Sequence, residues 1–306
     1  MKNLYSLSIT LLIVLTISSC RTNKPLPSPA ALPSWENALA KNTVISFVSQ
    51  ATNPGKTMID ADFRTALIEF DSFIFSPTTN DLKNEFLRFT LNKMVEKDSN
   101  LIDKTPYKEI INRDKGFFTE DNPIERYSYL INAHWNESTP EEYNKMLGIF
   151  YVSYLSEKNL KNMRALLNPK GIDLINYLQR NNFTIYIYAD CNVDLVRPLL
   201  QRYLNIAPEN VLGENIIYSF DSEKIELNRT MKITDNLAKN KESLASLVYR
   251  KFGRKPLINV ISNEINRSLL QVTHQNSLQG LDLIFINNPS TDLIERSKQN
   301  GWLFVN

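Results

Sequence analysis

The carboxyl-terminal half of the chain alternates regularly between short apolar strands and amphipathic helices. Pro169 opens a helical pattern in which Ile172, Ile175 and Leu178 recur on one face, and the strand "FTIYIYA" follows it. The same succession continues in the helices "KESLASLVYRKFG" and "STDLIERSKQNG" and the strands "PLINVIS", "LDLIFI" and "WLFV". Strands that alternate with helices predict a parallel sheet covered by helices on both faces. We therefore expect an α/β fold of the Rossmann-like type.

The first half of the chain predicts one strand of this sheet and a large helical insertion. Ser34 is the expected N-cap of a first helix, and the apolar stretch "ALIEF" at 66–70 is the expected first strand. The following segment is rich in Asn, Lys, Glu and aromatic residues and predicts several helices. We expect residues 77–168 to form a mostly helical cap, inserted into an α/β core made of residues 34–76 and 169–306. The stretches "ENIIYSF" and "IELNRTMKI" predict a hairpin within that core.

The composition is that of a globular protein and excludes one class of partner. The chain has 306 residues, of which 42% are hydrophobic and 22% charged, so a sizeable core is available. The 35 Lys and Arg are interleaved with 33 Asp and Glu, and the net charge is +2. Such a balance gives no field strong enough to gather nucleic acid. We expect no nucleic-acid partner.

The first twenty residues have the pattern of a cleaved export signal. Lys2 supplies a positive start, "LSITLLIVLTI" is an apolar stretch too short to span a bilayer comfortably, and small residues precede Cys20 in "ISSC". This arrangement resembles a bacterial lipobox. The resemblance implies that residues 1–19 are a lipoprotein signal peptide and that the thiol of Cys20 carries lipid. A secretory signal with a chance cysteine, or an uncleaved anchor, remains the alternative.

The segment after the cysteine predicts an extended tether and a cell location. Residues 20–33 are polar and rich in proline, which is typical of a spacer between a lipid and a folded domain. Arg21, and not an acidic residue, directly follows the cysteine, which favours the outer membrane in a cell that has one. We therefore expect the protein in the bacterial cell envelope, held to a membrane by its lipid. If the cell has an outer membrane, its periplasmic face is favoured.

Polar residues follow several of the predicted strands at their carboxyl ends, where parallel α/β sheets place their working sites. Asp71 follows the first strand, Ala189 and Asp190 follow the second, and Glu264 comes after a later one. Lys241 stands at the start of a predicted helix. In this order and spacing the chain resembles the haloacid dehalogenase-like superfamily, specifically its phosphoserine-phosphatase-like branch with a helical cap. The resemblance is best in the stretch from "LLNPKGIDLINYLQRNNFTIYIYADCNVDLVRP" to "PENVLGENI".

The resemblance implies a role for each of these positions. Asp71 stands where the family has its nucleophile, which also binds magnesium, and Lys241 where a lysine neutralises nucleophile and phosphate. Glu264 stands at one acidic metal-ligand position, so magnesium is the cofactor that the resemblance implies. However, Phe73 stands at the acid/base position, and Ala189 stands where a serine or threonine hydroxyl would hold the phosphoryl group.

These replacements favour a phosphatase-like protein that has lost most of its chemistry. Acid–base assistance is typically worth ~10² to 10⁴ in rate, and a phenylalanine has no proton to transfer. We expect a catalytically degenerate, lipid-anchored envelope protein that binds a small molecule, a phosphate ligand or a partner in its cap cleft. Two alternatives stay open: a magnesium-dependent phosphatase acting on phosphate monoesters through Asp71, Glu264 and Asp190 as an unconventional acid, and a purely structural envelope lipoprotein.

Overall fold

The computed structural model describes residues 31–76, 79–119, 121–234, 242–271 and 278–306. Residues Leu32–Asn306 form one compact unit with its own core. The signal peptide, Cys20 and Lys241 lie outside the described residues, so the predictions made for them stay predictions.

A seven-stranded sheet organises the described residues, and its order is β4-β3-β2-β1-β5-β6-β7. All neighbouring strands are parallel except β3 and β4, which form an antiparallel pair. The strands are β1 Thr65–Glu69, β2 Thr184–Asn192, β3 Val211–Asp221, β4 Glu226–Thr234, β5 Ile258–Ile261, β6 Leu281–Ile284 and β7 Leu303–Phe304. The parallel α/β sheet that the sequence predicts is thus confirmed, as is the predicted hairpin, which is the β3–β4 pair at one edge of the sheet.

Helices precede and follow these strands. The α-helices are α1 Ala38–Thr52, α2 Thr79–Lys97, α3 Tyr107–Ile111, α4 Tyr129–His134, α5 Pro140–Glu157, α6 Pro169–Arg180, α7 Arg197–Leu204, α8 Glu242–Phe252 and α9 Thr291–Asn300. Short 3-10 helices lie at Ala61–Phe63, Ser99–Leu101, Ile124–Tyr127, Met163–Leu166, Val193–Leu195, Pro208–Asn210 and Glu264–Gln271. No helix of the described segments is both apolar and long enough to cross a bilayer.

The first helix begins later than the sequence suggested, so the prediction of Ser34 as its N-cap is wrong. The cap is Asn37, whose side chain accepts a hydrogen bond from the Ala40 amide at 3.1 Å. Ser34 instead donates from both its amide and its hydroxyl to Asp173 in α6. A distant carboxylate therefore competes successfully for the hydroxyl that the sequence pattern had assigned to the helix start.

Local capping signals agree with the structure at α6 and α9. Asn168 accepts from the Lys170 amide and Pro169 occupies the first turn of α6, where its missing N–H is not needed. Ser290 caps α9 in the same way, and the helix ends at Gly301, whose φ is +72°. A left-handed residue directly after a helix is the position that glycine occupies without steric cost.

The segment between β1 and β2 is helical where it is described, as predicted. Its longest helices, α2 and α5, pack through aromatic side chains, with the ring of Phe86 4.9 Å from that of Phe150 and 6.0 Å from that of Tyr143. The division of the chain into a separate cap and core remains a prediction.

The core has two layers because β1 is buried on both faces. Ala66, Ile68 and Phe70 pack into the larger cluster with α1 and α6, whereas Leu67 packs into the smaller one with α8 and α9. Leu32 is fully buried in the larger cluster. Leu32, which the prediction placed in the tether at 20–33, therefore belongs to the packed part of the chain.

Gly171 offers a test of how closely α6 approaches the chain after β1. A Cβ at this position would overlap the carbonyl oxygen of Phe73 and lie 3.0 Å from its carbonyl carbon. Gly171→Ala should lower the free energy of unfolding by about 1–3 kcal/mol, because backbone must shift to admit the methyl group. Urea unfolding of the variant measures this loss.

Gly148 in α5 provides the matched control, since a Cβ there meets no atom within 4 Å. Gly148→Ala should raise the free energy of unfolding by about 0.4–1 kcal/mol through the unfolded chain and helix propensity. Equal effects of the two substitutions would show that the approach of α6 to Phe73 is not close.

Candidate functional site

A buried glutamate stands at the carboxyl end of the central strand. Glu69 is the last residue of β1, and its side chain is 2% exposed. One carboxylate oxygen accepts the backbone N–H groups of Ser262 and Asn263 at 2.5 and 3.0 Å, and the other accepts the Asn266 side-chain amide at 2.6 Å. Three donors from the segment after β5 therefore converge on one carboxylate in the middle of the sheet.

The pKa of Glu69 reflects two opposing effects of this position. The net pKa is about 7, raised from 4.5 chiefly by burial, because the charged form loses its hydration, and to a smaller extent by the nearby carboxylate of Asp71. The hydrogen bonds from Ser262, Asn266 and Asn263 stabilise the charged form and limit the rise. The carboxyl group consequently titrates close to neutral pH.

Asp71 follows two residues later, in a tight turn at the same edge. It is half-buried, and its backbone carbonyl accepts a hydrogen bond from the Ser262 hydroxyl. Ser72 adopts a left-handed conformation with φ of 57°, which turns the chain sharply after Asp71. Asp71 thus lies at the carboxyl edge of the sheet, and its role as a site residue stays a prediction.

The next three residues belong to the core. Phe73, Ile74 and Phe75 are fully buried. The Phe73 ring packs edge-on against Phe285 at 5.2 Å, and the Phe75 ring stacks on Phe70 at 5.1 Å. Position 73, predicted from the resemblance to stand at the acid/base position, is therefore a packing position.

The two carboxylates that are two residues apart at the end of β1 are Glu69 and Asp71. Sequence reasoning paired Asp71 with position 73 and missed Glu69 altogether. The signal available in the sequence was a single acidic residue inside an otherwise apolar strand, since a buried carboxylate is retained only where donors satisfy it.

Further acidic groups gather at the carboxyl end of β2. We call Asp71, Lys83, Asp190, Cys191 and Glu214 the acidic cluster, because the four charged groups act electrostatically on the buried Cys191 thiol. Lys83 comes from α2 and donates its ammonium to the backbone carbonyl of Asp190 at 2.8 Å. Sequence reasoning missed both Lys83 and Glu214: Lys83 comes from the predicted helical cap, and Glu214 lies in the stretch "PENVLGENI" without having been assigned a role.

The pKa values in the acidic cluster follow burial first and charge second. Burial raises the pKa of Cys191 well above its usual range, Lys83 lowers it, and Asp71, Asp190 and Glu214 raise it. Burial also raises the pKa of Glu214, with Lys83 opposing and Asp190 adding to the rise. Cys191 is a free thiol that stays protonated at neutral pH and is a poor nucleophile.

Ala189 lies inside β2, directly before this cluster. It is fully buried, and its carbonyl oxygen would lie 2.5 Å from a Cβ built at Gly213 in β3. The bare alanine and the glycine opposite let the two strands approach closely. No hydroxyl is present at position 189 to meet a phosphoryl group.

Glu264 is engaged at a different part of the same edge. Its carboxylate accepts the backbone N–H of Ser290 at 3.3 Å and the hydroxyl of the same serine, next to the start of α9. Asn266, two residues after Glu264, uses its side-chain amide as a donor to Glu69.

The described residues do not fit the magnesium ion that the resemblance implies. No three His, Cys, Asp or Glu side chains among them are grouped as ligands for a metal. The oxygens of Glu69 already accept three hydrogen bonds, and those of Glu264 accept the Ser290 donors. Magnesium needs several hard oxygens in nearly ideal octahedral geometry.

No protein-family model matches the sequence, and no curated protein matches it either. Among solved structures, the chain is similar to a conserved, functionally unknown protein of Anaerococcus prevotii, with 12% identity and a TM-score of 0.56 over 87% of this chain and 91% of that one. It also matches a protein of unknown function from Bordetella pertussis, with 12% identity and a TM-score of 0.49 over 79% and 98% of the two chains. A third match is a probable phosphoserine phosphatase of Vibrio cholerae, with 11% identity and a TM-score of 0.39 over 77% and 61%. The Anaerococcus structure shares the overall fold, and at this identity the likeness concerns the fold alone.

Glu69 makes the stability of the protein depend on pH in a defined direction. Because its folded pKa of about 7 exceeds the usual value of 4.5, its contribution to stability is complete below pH 4.5 and is lost as the pH rises through 7. The free energy of unfolding should fall by up to about 3 kcal/mol between pH 5 and 8 through this group. Urea unfolding of wild type and Glu69→Gln at both pH values measures the difference.

Glu69→Gln should lose less stability over this interval than wild type, because an amide cannot ionise. The exposed Glu36 supplies the control, and Glu36→Gln should retain the pH dependence of the wild type. An unchanged pH dependence in Glu69→Gln would contradict the assignment.

Proposed function

We propose that the chain is a catalytically degenerate, phosphatase-like member of the haloacid dehalogenase-like superfamily that binds a ligand or partner in the cleft beside its helical segment. The topology supports this proposal. β1 lies in the middle of the sheet between β2 and β5, and a long helical segment separates β1 from β2. This is the arrangement expected of the phosphoserine-phosphatase-like branch that the sequence resembles.

One observation carries the proposal of degeneracy. Glu69 is the acid two residues before Asp71. Its carboxylate is buried and accepts hydrogen bonds from three donors. A group held in this way is not available to attack phosphorus or to exchange a proton with a leaving group. Phe73, two residues after Asp71, is fully buried. Positions 69 and 73, two residues before and after Asp71, therefore hold a donor-bound buried carboxylate and a buried phenylalanine.

The charges of the acidic cluster argue in the same direction. Asp71, Asp190 and Glu214 contribute carboxylates, and Lys83 is the cation that acts with them on Cys191. The Lys83 ammonium donates to the Asp190 backbone. Phosphoryl transfer depends on positive groups that neutralise the developing charge. An excess of carboxylates at this edge disfavours a phosphate dianion.

The sequence also supports a location for the protein in the bacterial cell envelope. The apolar stretch and "ISSC" before Cys20 support lipidation of that cysteine, and Arg21 favours the periplasmic face of an outer membrane. We propose that the lipid holds the folded unit at the bacterial cell envelope, where it acts by binding rather than by turnover.

Purified protein beginning at Arg21 should be close to inert toward phosphate monoesters. The assay is release of phosphate from an aryl phosphate and a panel of phosphometabolites at several magnesium concentrations. Asp71→Asn should leave the background unchanged, since Glu69 is buried and held by its donors and Phe73 has no proton to transfer. The exposed Asp103 serves as the matched control, as Asp103→Asn.

An active phosphatase is the alternative that this assay can establish. Magnesium-dependent turnover near ~1 to 10³ per second, abolished by Asp71→Asn but not by Asp103→Asn, would overturn the proposal of degeneracy. A purely structural role is the other alternative. A ligand that binds the native state alone raises Tm, so a thermal-shift screen with no positive ligand would favour that role.

Cys20 should be the site of lipidation. Growth with an alkynyl palmitate analogue should label the wild-type protein and not Cys20→Ser, because the thiol is the acceptor. Cys191→Ser is the control and should keep the label, since the Cys191 thiol is buried. Equal labelling of wild type and Cys20→Ser, or no label in the wild type, would contradict the prediction.

A further inference from the structure

A groove of about 620 Å³ lies between α5 and α7, and it shares no lining residue with the acidic cluster. This volume is in the range of small-molecule binding sites. The groove runs from the side of α5 to the segments around Asn162 and Pro208. Its lining combines an apolar floor with a positively charged border.

The floor of the groove consists of apolar side chains held in place by the fold. Leu147 and Met163 are buried, and Leu155 packs partly buried against the same core. Tyr151 forms part of the wall, and its hydroxyl donates to the backbone carbonyl of Leu195. Burial raises the pKa of Tyr151 well above its usual range, so it remains a neutral donor. The floor is therefore preformed and suited to an aliphatic or aromatic group.

The single carboxylate in the lining is already compensated. Asp194 accepts Arg197 at 3.0 Å and the buried Arg229 at 2.6 Å, and the Tyr218 hydroxyl donates to it at 3.0 Å. Arg197 also donates to the backbone carbonyl of Pro208 at 2.9 Å. Asp194 thus leaves no negative charge to offset the remaining cations of the groove.

Two exposed cations at the border complete the charge pattern. Lys161 and Arg202 line the groove, and neither forms an ion pair with a described residue. The guanidinium of Arg202 lies 5.6 Å from the ring of Tyr203, which keeps it beside the groove. With Asp194 compensated, the groove presents an apolar floor and an excess of positive charge at its border.

We propose that this groove binds a single-chain anionic amphiphile, that is, a molecule with an apolar body and one carboxylate or phosphate group. The apolar body packs on the partly buried Leu155 and Tyr151, behind which Leu147 and Met163 are buried. The anionic group pairs with Lys161 and Arg202 at the border. The groove shares no lining residue with the acidic cluster, so the decanoate titration and the phosphatase assay of Asp71→Asn fail or succeed separately.

The test uses the chain that begins at Arg21, which retains every residue of the compact unit Leu32–Asn306. Decanoate is titrated calorimetrically at low salt, beside 1-decanol, butyrate and inorganic phosphate. Decanoate should bind at least about tenfold more tightly than each of the others, because only decanoate supplies both the chain and the charge. Its affinity should fall with added salt.

Variants separate the groove from nonspecific binding. Lys161→Gln with Arg202→Gln should weaken decanoate about tenfold and leave decanol unchanged. Val152→Glu, at a border position that is 70% exposed, should weaken decanoate by adding a negative charge. The matched control is Lys145→Gln with Arg180→Gln, which removes two exposed cations outside the groove lining and should change nothing.

Circular dichroism melting of each variant checks that the fold is retained. Equal binding of decanoate and decanol, or of decanoate and butyrate or phosphate, would overturn the proposal. So would an absence of decanoate binding, or equal losses in the groove variant and its control.

Discussion

The carboxylate of Glu69 ties the two central strands of the sheet together at their carboxyl ends. It belongs to β1 and accepts two backbone N–H groups from the segment that leaves β5, so the turn after β5 is shaped around one side chain. A buried N–H without an acceptor costs about 1–3 kcal/mol, and here two share one oxygen. The Ser262 hydroxyl then holds the backbone of Asp71, so the position of the turn after β1 depends on the same contact.

The turn after β1 is built as part of the core. Phe73 and Phe75 fill space between the sheet and neighbouring elements, and α6 approaches closely because residue 171 is glycine. A loop that handles phosphate needs exposed donors and freedom to approach the ligand. Here the turn is instead held by buried aromatic contacts. This packing is the physical reason for the proposed loss of catalysis.

A second buried charge lies where the β3–β4 hairpin contacts the helical segment. Arg229 of β4 is 2% exposed, lies 3.6 Å above the ring of Tyr143 and pairs with Asp194. Its backbone also exchanges hydrogen bonds with Glu137 and Ser138 of the helical segment. Removing one partner from such a pair leaves an uncompensated buried charge. The hairpin, the helical segment and the charge balance of the proposed groove therefore depend on one arginine.

The sequence by itself determined the order of the elements and most helix ends. Asn168 before Pro169 and Gly301 after α9 act on backbone groups within a few residues, and the apolar periods of β2 and α6 need no distant partner. The parallel sheet followed from that alternation. Only the tertiary structure decided the roles of single polar side chains. Ser34 does not cap the first helix but donates to Asp173, 139 residues away. Glu69 accepts a hydrogen bond from Ser262, 193 residues along the chain. Such contacts carry no local pattern, because the groups that compete for one side chain meet only when the sheet has formed.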